Sequence, residues 1–379
     1  MKPANSPPRS AYIHVPFCAH RCGYCSFTVV AHRDDLVEPY LRALSIELAA
    51  LQTPRPVDTL FLGGGTPTQL PLDALARLLE LVLGWFPLAA GGEFSVEANP
   101  ANVAKPLVEL LAQHGVNRIS LGGQSFDEAK LRLLERDHSA GQLRRAFELA
   151  RRSIDSVCVD LIFGTPGESL ATWQKDLRES IALEPDHVST YGLTFERGTT
   201  FWSRLHKGQL ARLDEEAERT QYATAIDALC AAGFEHYEVS NFARPLHRCR
   251  HNEAYWNGES YFAAGPGAAR YVDGRREMNH RSTTTWIARL LAGRSPVAES
   301  EELSPEDRAR ERLVFGLRRL EGVDRAAFAE ATGHAIDELV GGPLARFVSQ
   351  GLLSDDGRRI RLTRAGLFIS DALWPHFLR

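Results

Sequence analysis

The sequence lacks the long apolar runs and the strong net charge that mark several classes of protein. No run of about 18 apolar residues occurs in the 379 residues, so no membrane-spanning helix is expected. The net charge of −4 argues against a broad nucleic-acid-binding surface. The first ten residues contain no apolar core, which predicts a chain without a secretory signal and a cytoplasmic location. Hydrophobic residues make up 44% of the chain, which is enough to form the cores of one large and one small globular domain.

Cysteine is scarce, and half of it lies in one short segment. Of the six cysteines, three fall close together, at Cys18, Cys22 and Cys25. In a chain expected in the cytoplasm, such thiols are more often metal ligands than disulfide partners. Cys158 and Cys230 stand alone between apolar residues and are predicted to be small core residues.

Short apolar runs alternate with longer amphipathic segments over most of the first 240 residues. The candidate strands are Ala11–Val15, Thr59–Leu62, Glu93–Glu97, Asn117–Leu121, Ser156–Ile162 and His187–Tyr191. The candidate helices between and after them are Leu36–Leu51, Leu72–Trp85, Val103–Gln113, Gln142–Arg152, Leu170–Leu183 and Asp214–Ala232. This alternation predicts an α/β fold, a partial parallel (β/α)6 barrel of the TIM type, in which ligands bind where strands end.

The rest of the chain predicts two smaller regions. We expect three parts: the partial barrel at 1–240, an extension with short strands at 241–295, and a C-terminal module at 296–379. The predicted linker is a charged segment that contains Ser295-Pro296 and Ser304-Pro305. The last part contains three predicted helices and a hairpin at Asp356-Gly357, a pattern that resembles a winged helix. Such modules bind DNA or pack against other domains, and the acids in Glu299–Glu306 favour packing.

The three clustered cysteines follow the first predicted strand in a C-x3-C-x2-C pattern. Three thiolates on one loop can hold three corners of a cubic iron–sulfur cluster, so that the fourth iron keeps an open position. Zinc is the main alternative, although a structural zinc site needs four ligands, and His14 or His20 would have to supply the fourth. The spacing favours the cluster.

Glycines and acids follow the later strands. Gly63-Gly64-Gly65 ends the second strand, where missing side chains allow a ligand to approach the backbone, although a plain tight turn also explains the run. Glu97 ends the third strand, and its carboxylate can accept a hydrogen bond from a hydroxyl or an ammonium group or simply be solvated. Asp160 lies in an otherwise apolar strand, and because burying a lone carboxylate is costly, a functional partner is predicted.

Together these segments resemble the radical S-adenosylmethionine superfamily, and within it the oxygen-independent coproporphyrinogen III oxidase-like family. The segments that carry the likeness are Tyr12 to Cys25, Gly63–Pro67, Glu97–Pro100, Gln124–Phe126, Arg136 and Asp160–Gly167. The resemblance extends through most of the chain and implies a [4Fe–4S] cluster whose open iron binds S-adenosylmethionine. It implies metal ligands at Cys18, Cys22 and Cys25 and cofactor contacts at Tyr12, Tyr24, Gly64, Gly65, Thr66, Glu97, Gln124, Arg136 and Asp160.

Two further features distinguish two branches of this family. The decarboxylating oxidases carry a fourth cysteine two residues after the third, where this chain has Phe27. The run from His251 through Tyr255-Trp256 resembles the heme-binding motif of the heme-chaperone branch. Imidazole is a common axial ligand of heme iron, and the two aromatic rings offer flat surfaces to a macrocycle. His251 is therefore the predicted heme ligand, with Cys249 as a candidate second ligand and a packed core histidine as the alternative.

The chaperone interpretation implies a set of cofactors and partners. The cofactors are the cluster, S-adenosylmethionine and heme. The partners are heme or a porphyrin, recipient hemoproteins (membrane-associated ones included) and an electron-donor protein, with no nucleic acid. The alternative function is oxidative decarboxylation of the propionate side chains of coproporphyrinogen III in porphyrin biosynthesis, and a different radical reaction is a third, so enzyme activity stays open. The Gly265–Arg270 segment departs from the family because it lacks a histidine that relatives often place there.

Overall fold

The computed structural model describes residues 7–378, so residues 1–6, within the segment expected to carry no signal, lie outside it. Its strands are β1 (Ser10–Val15), β2 (Phe17–Cys18), β3 (Val30–Ala31), β4 (Val57–Gly64), β5 (Leu88–Ala98), β6 (Arg118–Gln124), β7 (Ser156–Phe163), β8 (His187–Gly192), β9 (Glu235–Glu238), β10 (Asn241–Ala243), β11 (Phe262–Ala264), β12 (Ala269–Val272), β13 (Arg275–Asn279), β14 (Val297–Glu302), β15 (Val323–Asp324), β16 (Leu353–Asp355) and β17 (Arg359–Leu362). Its helices are α1 (Val37–Ala49), α2 (Leu72–Trp85), α3 (Lys105–Gln113), α4 (Glu128–Leu133), α5 (Ala140–Arg151), α6 (Leu170–Ala182), α7 (Thr200–His206), α8 (Glu215–Ala231), α9 (Arg250–Trp256), α10 (Thr283–Leu291), α11 (Pro305–Arg318), α12 (Arg325–Thr332), α13 (Ile336–Ser349), α14 (Arg364–Phe368) and α15 (Ser370–Leu373).

One large sheet forms the centre of the molecule. Its strand order is β11-β1-β4-β5-β6-β7-β8-β10-β9. The six predicted strands are β1 and β4 to β8, which pair in parallel with helices between them. In the described residues the strands at the two ends of the sheet, β11 and β9, do not pair with each other, so the barrel stays open. The predicted α/β fold with a partial parallel barrel is therefore confirmed.

The barrel helices form because their apolar residues recur at helical spacing. Helix α1 buries Tyr40, Leu44 and Leu48, which lie four residues apart on one face. Ser139 caps helix α5: its hydroxyl accepts a hydrogen bond from the Gln142 N–H at 3.2 Å, and the Ser139 N–H donates to the side-chain oxygen of Gln142. In the described residues, no helix combines the length and the apolar character needed to cross a membrane.

A buried carboxylate connects the barrel to the extension. Glu47 on α1 accepts hydrogen bonds from the Gly265 N–H at 3.0 Å, the Asn279 Nδ2 at 2.6 Å and the Trp286 Nε1 at 3.1 Å. Burial raises the pKa of Glu47 to about 7, although these donors lower it in part. The extension is therefore fixed against the first barrel helix by a satisfied polar cluster.

The predicted linker is wrong, because residues 297–302 form strand β14, which pairs antiparallel with β13. A boundary at residue 295 would separate two paired strands, so we propose that the C-terminal module begins after Glu302. The predicted hairpin around Asp356-Gly357 is present as β16 and β17, and β15 completes a three-stranded sheet beside helices α11 to α13. The extension also contains two helices that the sequence pattern did not indicate, α9 and α10.

Candidate cofactor site at the carboxyl ends of the barrel strands

The cysteine loop leaves the carboxyl end of β1 and lies across the mouth of the barrel. Cys18 lies in the short strand β2, and the Cys25 N–H donates to the Cys22 carbonyl at 3.1 Å, which closes the turn between those two. The three thiols are half-buried and line one cavity of about 440 Å³. That volume lies within the range of small-molecule sites.

The three cysteines line a cavity and do not converge on a single point where one metal ion could bind. Among residues 7–378, no three cysteine, histidine or acidic side chains converge closely enough to hold a single metal ion. A cluster with several iron atoms takes each thiolate on a separate iron, so its ligands stand apart. The donor set and the room in front of it therefore fit a multinuclear cluster.

The thiols lie beside one buried cation. Burial raises the pKa of Cys18 to about 11 and also raises that of Cys25, and the positive charge of Arg136 opposes both shifts. Arg136 donates through Nη1 to the Cys22 sulfur at 3.4 Å and through Nη2 to the Gly122 carbonyl at 2.9 Å. Because burial penalises a lone thiolate, the loop favours a bound metal that takes over the negative charge.

Arg136 also carries an unused donor. Its Nε is buried and has no hydrogen-bond partner among the described residues. An unpaired buried donor costs about 1–3 kcal/mol, so such an atom indicates a ligand that completes the site. Arg136 therefore has the geometry of a ligand-binding residue and not only of a structural cation.

The glycine run forms a close backbone wall. Gly64 has a φ of +104°, and a Cβ there would lie 2.2 Å from the His14 ring. A Cβ on Gly65 would lie 2.8 Å from the backbone of Val15, Pro16 and Phe17. Only glycine fits at either position, and the resulting wall presents main-chain groups to the cavity.

Two carboxyl groups face the same cavity from β5 and β7, the strands on either side of β6. Glu97 accepts a hydrogen bond from the Gly64 N–H at 2.9 Å, and Asp160 accepts from the Ser120 hydroxyl at 2.9 and 3.0 Å. Burial raises the pKa of Glu97 to about 7, and the charge of Asp160 raises it further. Burial also raises the pKa of Asp160. This acidic wall favours a ligand with a positive charge or several hydroxyl groups.

Most of the residues predicted to hold the cofactor surround this one cavity. They are Cys18, Cys22, Tyr24, Cys25, Gly64, Gly65, Thr66, Glu97, Gln124, Arg136 and Asp160. Tyr12 is not among its lining residues. Its hydroxyl lies 3.1 Å from the His14 Nδ1, and its ring packs against Phe61 behind the glycine wall.

His251 lies apart from this cavity and is 1% exposed. Its Nδ1 lies 2.9 Å from the Thr59 hydroxyl, and its Nε2 lies 2.9 Å from the Tyr255 hydroxyl. Burial lowers its pKa to about 3, so the imidazole is neutral. Both nitrogens are engaged in this conformation, so iron ligation by His251 stays a prediction and requires the Tyr255 hydroxyl to move. Cys249 is also buried, and its role as a second ligand likewise stays a prediction.

Sequence reasoning missed the lining residues that β8 and its following loop supply. Tyr191, Leu193 and Thr194 line the cavity, and Tyr191 is 43% exposed towards it. Their position at the carboxyl end of a predicted parallel strand was the available signal. Phe27 is 61% exposed at the cavity mouth, where it presents a phenyl ring in place of a thiol.

Comparison with known proteins gives this geometry a family. The model of the Radical SAM superfamily matches residues 12–179, and that of the HemN C-terminal domain matches residues 303–369. The heme chaperone HemW of Bacillus subtilis is 33% identical over 98% of this chain and 99% of its own length. The heme chaperone HemW of Escherichia coli is 35% identical over 98% of both chains. The solved structure of coproporphyrinogen III oxidase (HemN) from Escherichia coli covers 98% of this chain and 90% of its own at a TM-score of 0.86, and its 22% identity shows the shared fold. The chain therefore belongs to the HemW family of radical S-adenosylmethionine proteins.

Proposed function

We propose that this chain is a heme chaperone that binds heme and transfers it to hemoproteins. The observation that carries the proposal is its likeness to curated heme chaperones at 33% and 35% identity over nearly the whole of both chains. A likeness that spans the barrel, the extension and the C-terminal module supports a shared function better than a shared barrel alone, because barrels host many unrelated functions.

In this proposal the first cavity holds the resident cofactors. Cys18, Cys22 and Cys25 hold a [4Fe–4S] cluster, which when bound supplies one-electron chemistry and an open iron site. Gly64, Gly65 and Thr66 would form the wall that S-adenosylmethionine contacts, and Tyr12 would support that wall from behind. Glu97 and Asp160 accept hydrogen bonds from its ammonium and hydroxyl groups, Gln124 and the Arg136 Nε complete its polar contacts, and Tyr24 covers the cluster.

The alternative, coproporphyrinogen III decarboxylation, is supported by the fold shared with the oxidase structure. Phe27 counts against it, since the position where the oxidases carry a fourth cysteine has no thiol here. Expression in a strain that lacks the oxidase separates the two functions. Growth without added heme would favour the enzyme, and failure to grow despite a reconstituted cluster favours the chaperone.

The partners follow from the proposed function. We place the protein in the cytoplasm, where it receives heme and passes it to recipient hemoproteins, membrane-bound ones included. The cluster, held by the three cysteines, would take its electron from an electron-donor protein.

Heme binding is tested by titrating the full-length protein with hemin. We expect the wild type to bind with a defined absorption band and to transfer the heme to an apo-hemoprotein. His251→Ala should change the band, whereas His114→Ala, a change at the end of α3, should leave it unchanged. A wild-type protein that neither binds nor transfers hemin would overturn the proposed function. Identical bands in both variants would remove only His251 as the ligand.

A further inference from the structure

A buried group of charged side chains lies next to the loops of the barrel mouth without lining the cavity there. Lys130 on α4 is 5% exposed, and its Nζ donates to the Glu168 Oε1 at 2.5 Å and to the Asp176 Oδ2 at 3.0 Å. The side chains of both acids are buried as well. The Nζ also lies 5.0 Å from the centre of the Trp173 ring, so an aromatic face encloses the ammonium on that side. We call Lys130, Glu168 and Asp176 the Lys130 network.

Asp176 binds the loop that follows β6. Its Oδ1 accepts a hydrogen bond from the Phe126 N–H at 2.6 Å, and its Oδ2 accepts one from the Ser125 hydroxyl at 2.7 Å. Gln124, which lines the barrel-mouth cavity, directly precedes these two residues and has a positive φ of 62°. A positive φ is costly for a residue with a Cβ and persists where the surroundings impose it. The hydrogen bonds of Asp176 therefore help to hold Gln124 in its strained conformation.

Glu168 binds the loop that follows β7 in the same way. Its Oε2 accepts hydrogen bonds from the Thr165 N–H at 3.0 Å and from the Thr165 hydroxyl at 3.1 Å. Thr165 comes two residues after the end of β7, the strand that brings Asp160 to the cavity. Strands β6 and β7 are neighbours in the sheet. Because Lys130 binds both acids, it joins the two loops to each other.

Lys130 also lies midway along the chain between two residues of the barrel-mouth cavity. It follows Gln124 by six residues and precedes Arg136 by six. At the start of α4 the Lys130 N–H donates to the Asp127 Oδ1 at 3.0 Å, and beyond its end the Arg136 N–H donates to the Leu131 carbonyl at 2.9 Å. A helix of six residues has little stability of its own, so tertiary contacts must fix its position. The contacts of the Lys130 ammonium therefore also fix the segment that carries Arg136.

Stability alone does not explain the charges of the Lys130 network. Well-packed apolar side chains of similar volume often stabilise a protein as well as a buried ion pair does, or better. The carboxylates add directed bonds, because they accept from the main-chain N–H groups of Phe126 and Thr165, which apolar side chains cannot do. The network is therefore suited to setting the positions of two loops at the barrel mouth.

We propose that Lys130 is a positioning residue for S-adenosylmethionine, because it holds Gln124 and Arg136 in the conformation that binds this cofactor. The inference rests on the cofactor site of the proposed function and adds a residue that does not touch the ligand. If the loss of Lys130 leaves the segment 124–136 in its binding conformation for about one tenth of the time, the apparent affinity falls about tenfold. Assembly of the iron–sulfur cluster should be unaffected, because its three thiols come from the loop after β1, and two strands lie between β1 and β6 in the sheet.

The first test compares Lys130→Met with the wild type. Methionine removes the ammonium and keeps most of the volume of the side chain. We expect this variant to bind S-adenosylmethionine about tenfold more weakly at unchanged iron and sulfide content. Lys105→Met, which removes an exposed lysine of α3, should match the wild type in both measurements. Equilibrium dialysis of the full-length, cluster-loaded proteins against S-adenosylmethionine gives the affinity.

A second measurement uses the proteins without any cofactor. Hydrogen exchange, followed by mass spectrometry, reports how often each segment opens. In Lys130→Met the amides of residues 124–136 and of Thr165 should exchange about tenfold faster than in the wild type. The amides of α2, on the other side of the barrel mouth, should exchange as before. A purely stabilising role would instead raise exchange in both regions.

Ser125→Ala provides a milder variant. Lys130→Met leaves two buried carboxylates without their ammonium, and that alone can prevent folding. Ser125→Ala removes one hydrogen bond to Asp176 and keeps the ion pairs, so affinity should fall about threefold at unchanged iron content. Its matched control is Ser180→Ala, at a buried serine of α6 whose hydroxyl has no hydrogen-bond partner among the described residues. That control should bind as the wild type does.

Wild-type affinity in a folded Lys130→Met would overturn the inference and leave the cofactor site intact. If Lys130→Met does not fold, wild-type affinity in Ser125→Ala would overturn it in the same way. Weaker binding that comes with loss of iron, or with faster exchange in α2, would also overturn it, because the network would then support the whole barrel. A wild type that assembles the cluster but binds no S-adenosylmethionine would overturn both the cofactor site and the inference. Failure of hemin transfer would overturn the heme-chaperone proposal alone.

Discussion

Two cavities among the described residues differ in almost every property that selects a ligand. The cavity at the barrel mouth has a wall of backbone glycines and two acids, Glu97 and Asp160, around three thiols. A second cavity, between the extension and the C-terminal module, has aromatic walls that include Tyr255 and Tyr271, with three arginines against two acids. We call it the inter-module cavity. Acids favour a positively charged ligand, and a mainly cationic lining favours a ligand with a negative charge. The two cavities therefore favour ligands of opposite charge.

The cavities differ in construction too. The barrel mouth is formed by consecutive strand ends of one sheet, so its shape follows from the fold of the barrel. The inter-module cavity requires α9, β13 and α11 to meet, although they come from separate parts of the chain. We therefore expect the first to behave as a rigid site and the second as a site that opens when its walls separate.

The largest expected effect is loss of the cluster. Cys22→Ser should remove nearly all iron and sulfide after anaerobic reconstitution, because one of three ligands is lost. The prediction that Cys230 is a core residue is wrong, because its side chain is exposed on α8, whereas Cys158 is buried as predicted. Cys230→Ser should therefore retain both iron and sulfide. Counted iron and sulfide, with the absorbance of the cluster, provide the measurement. Full iron content in Cys22→Ser would contradict the assignment of the barrel-mouth cavity.

The glycine wall gives the next largest effect. Gly64→Ala combines a strained φ with a Cβ 2.2 Å from the His14 ring, and we expect it to lower the free energy of unfolding by about 4 kcal/mol. Gly91→Ala is the matched control, since its φ is +71° but nothing lies within 4 Å of the added Cβ. It should cost about 1 kcal/mol. Chemical denaturation measures both, and equal losses would show that the wall tolerates a side chain.

Glu97 should make stability depend on pH. Its pKa is about 7 in the folded protein and 4.5 for the ordinary carboxyl, so the folded state holds the proton longer. The unfolded state therefore binds fewer protons between these values, and stability falls as pH rises from 4.5 to 7. Without bound cofactors, the wild type should lose about 3 kcal/mol relative to Glu97→Gln between pH 4 and pH 8. Parallel stability profiles would contradict the shift. Asp176→Asn is unsuitable as a control because that carboxylate is ion-paired to Lys130.

The smallest expected effect comes from the hydroxyl group of Tyr255. Tyr255→Phe removes the hydroxyl that engages His251 Nε2, so hemin should bind about threefold more tightly, equivalent to a hydrogen bond worth well under 1 kcal/mol. Tyr261→Phe changes a ring in the same cavity without touching His251 and should leave affinity unchanged. Hemin titrations of both variants provide the comparison. Weaker binding by Tyr255→Phe alone would mean that the phenol contacts the heme directly.

The sequence allowed the barrel to be predicted because its elements are local. Each strand is a short apolar run, and each helix is a segment whose apolar residues recur at helical spacing. The spacing of the leucines in α2 predicts a helix from Leu72 to Trp85, and the structure has the same bounds. It could also be predicted that Gly64, Glu97 and Asp160 line one site, since parallel strands bring their carboxyl ends together. Local pattern and topology were sufficient for that cavity.

Features that depend on distant contacts could not be predicted in the same way. Strand β14 is a highly charged segment that pairs along an exposed sheet edge, so its composition indicated a linker. One of the two hydrogen-bond partners of the buried His251 is Thr59, which lies almost 200 residues earlier in the chain. The inter-module cavity joins Tyr255 to Arg308, and neither residue carries a local signal of the other.

The buried Glu47 has a consequence for how this protein can be rearranged. Its carboxylate is satisfied by three donors that all lie in the extension, more than 200 residues away. A truncated barrel, or a chimera that takes its extension from a relative without matching donors, would keep an acid in the core with nothing to bond. Domain exchange between relatives should therefore succeed only when the cut is made after Glu302, so that the barrel and its extension are transferred together.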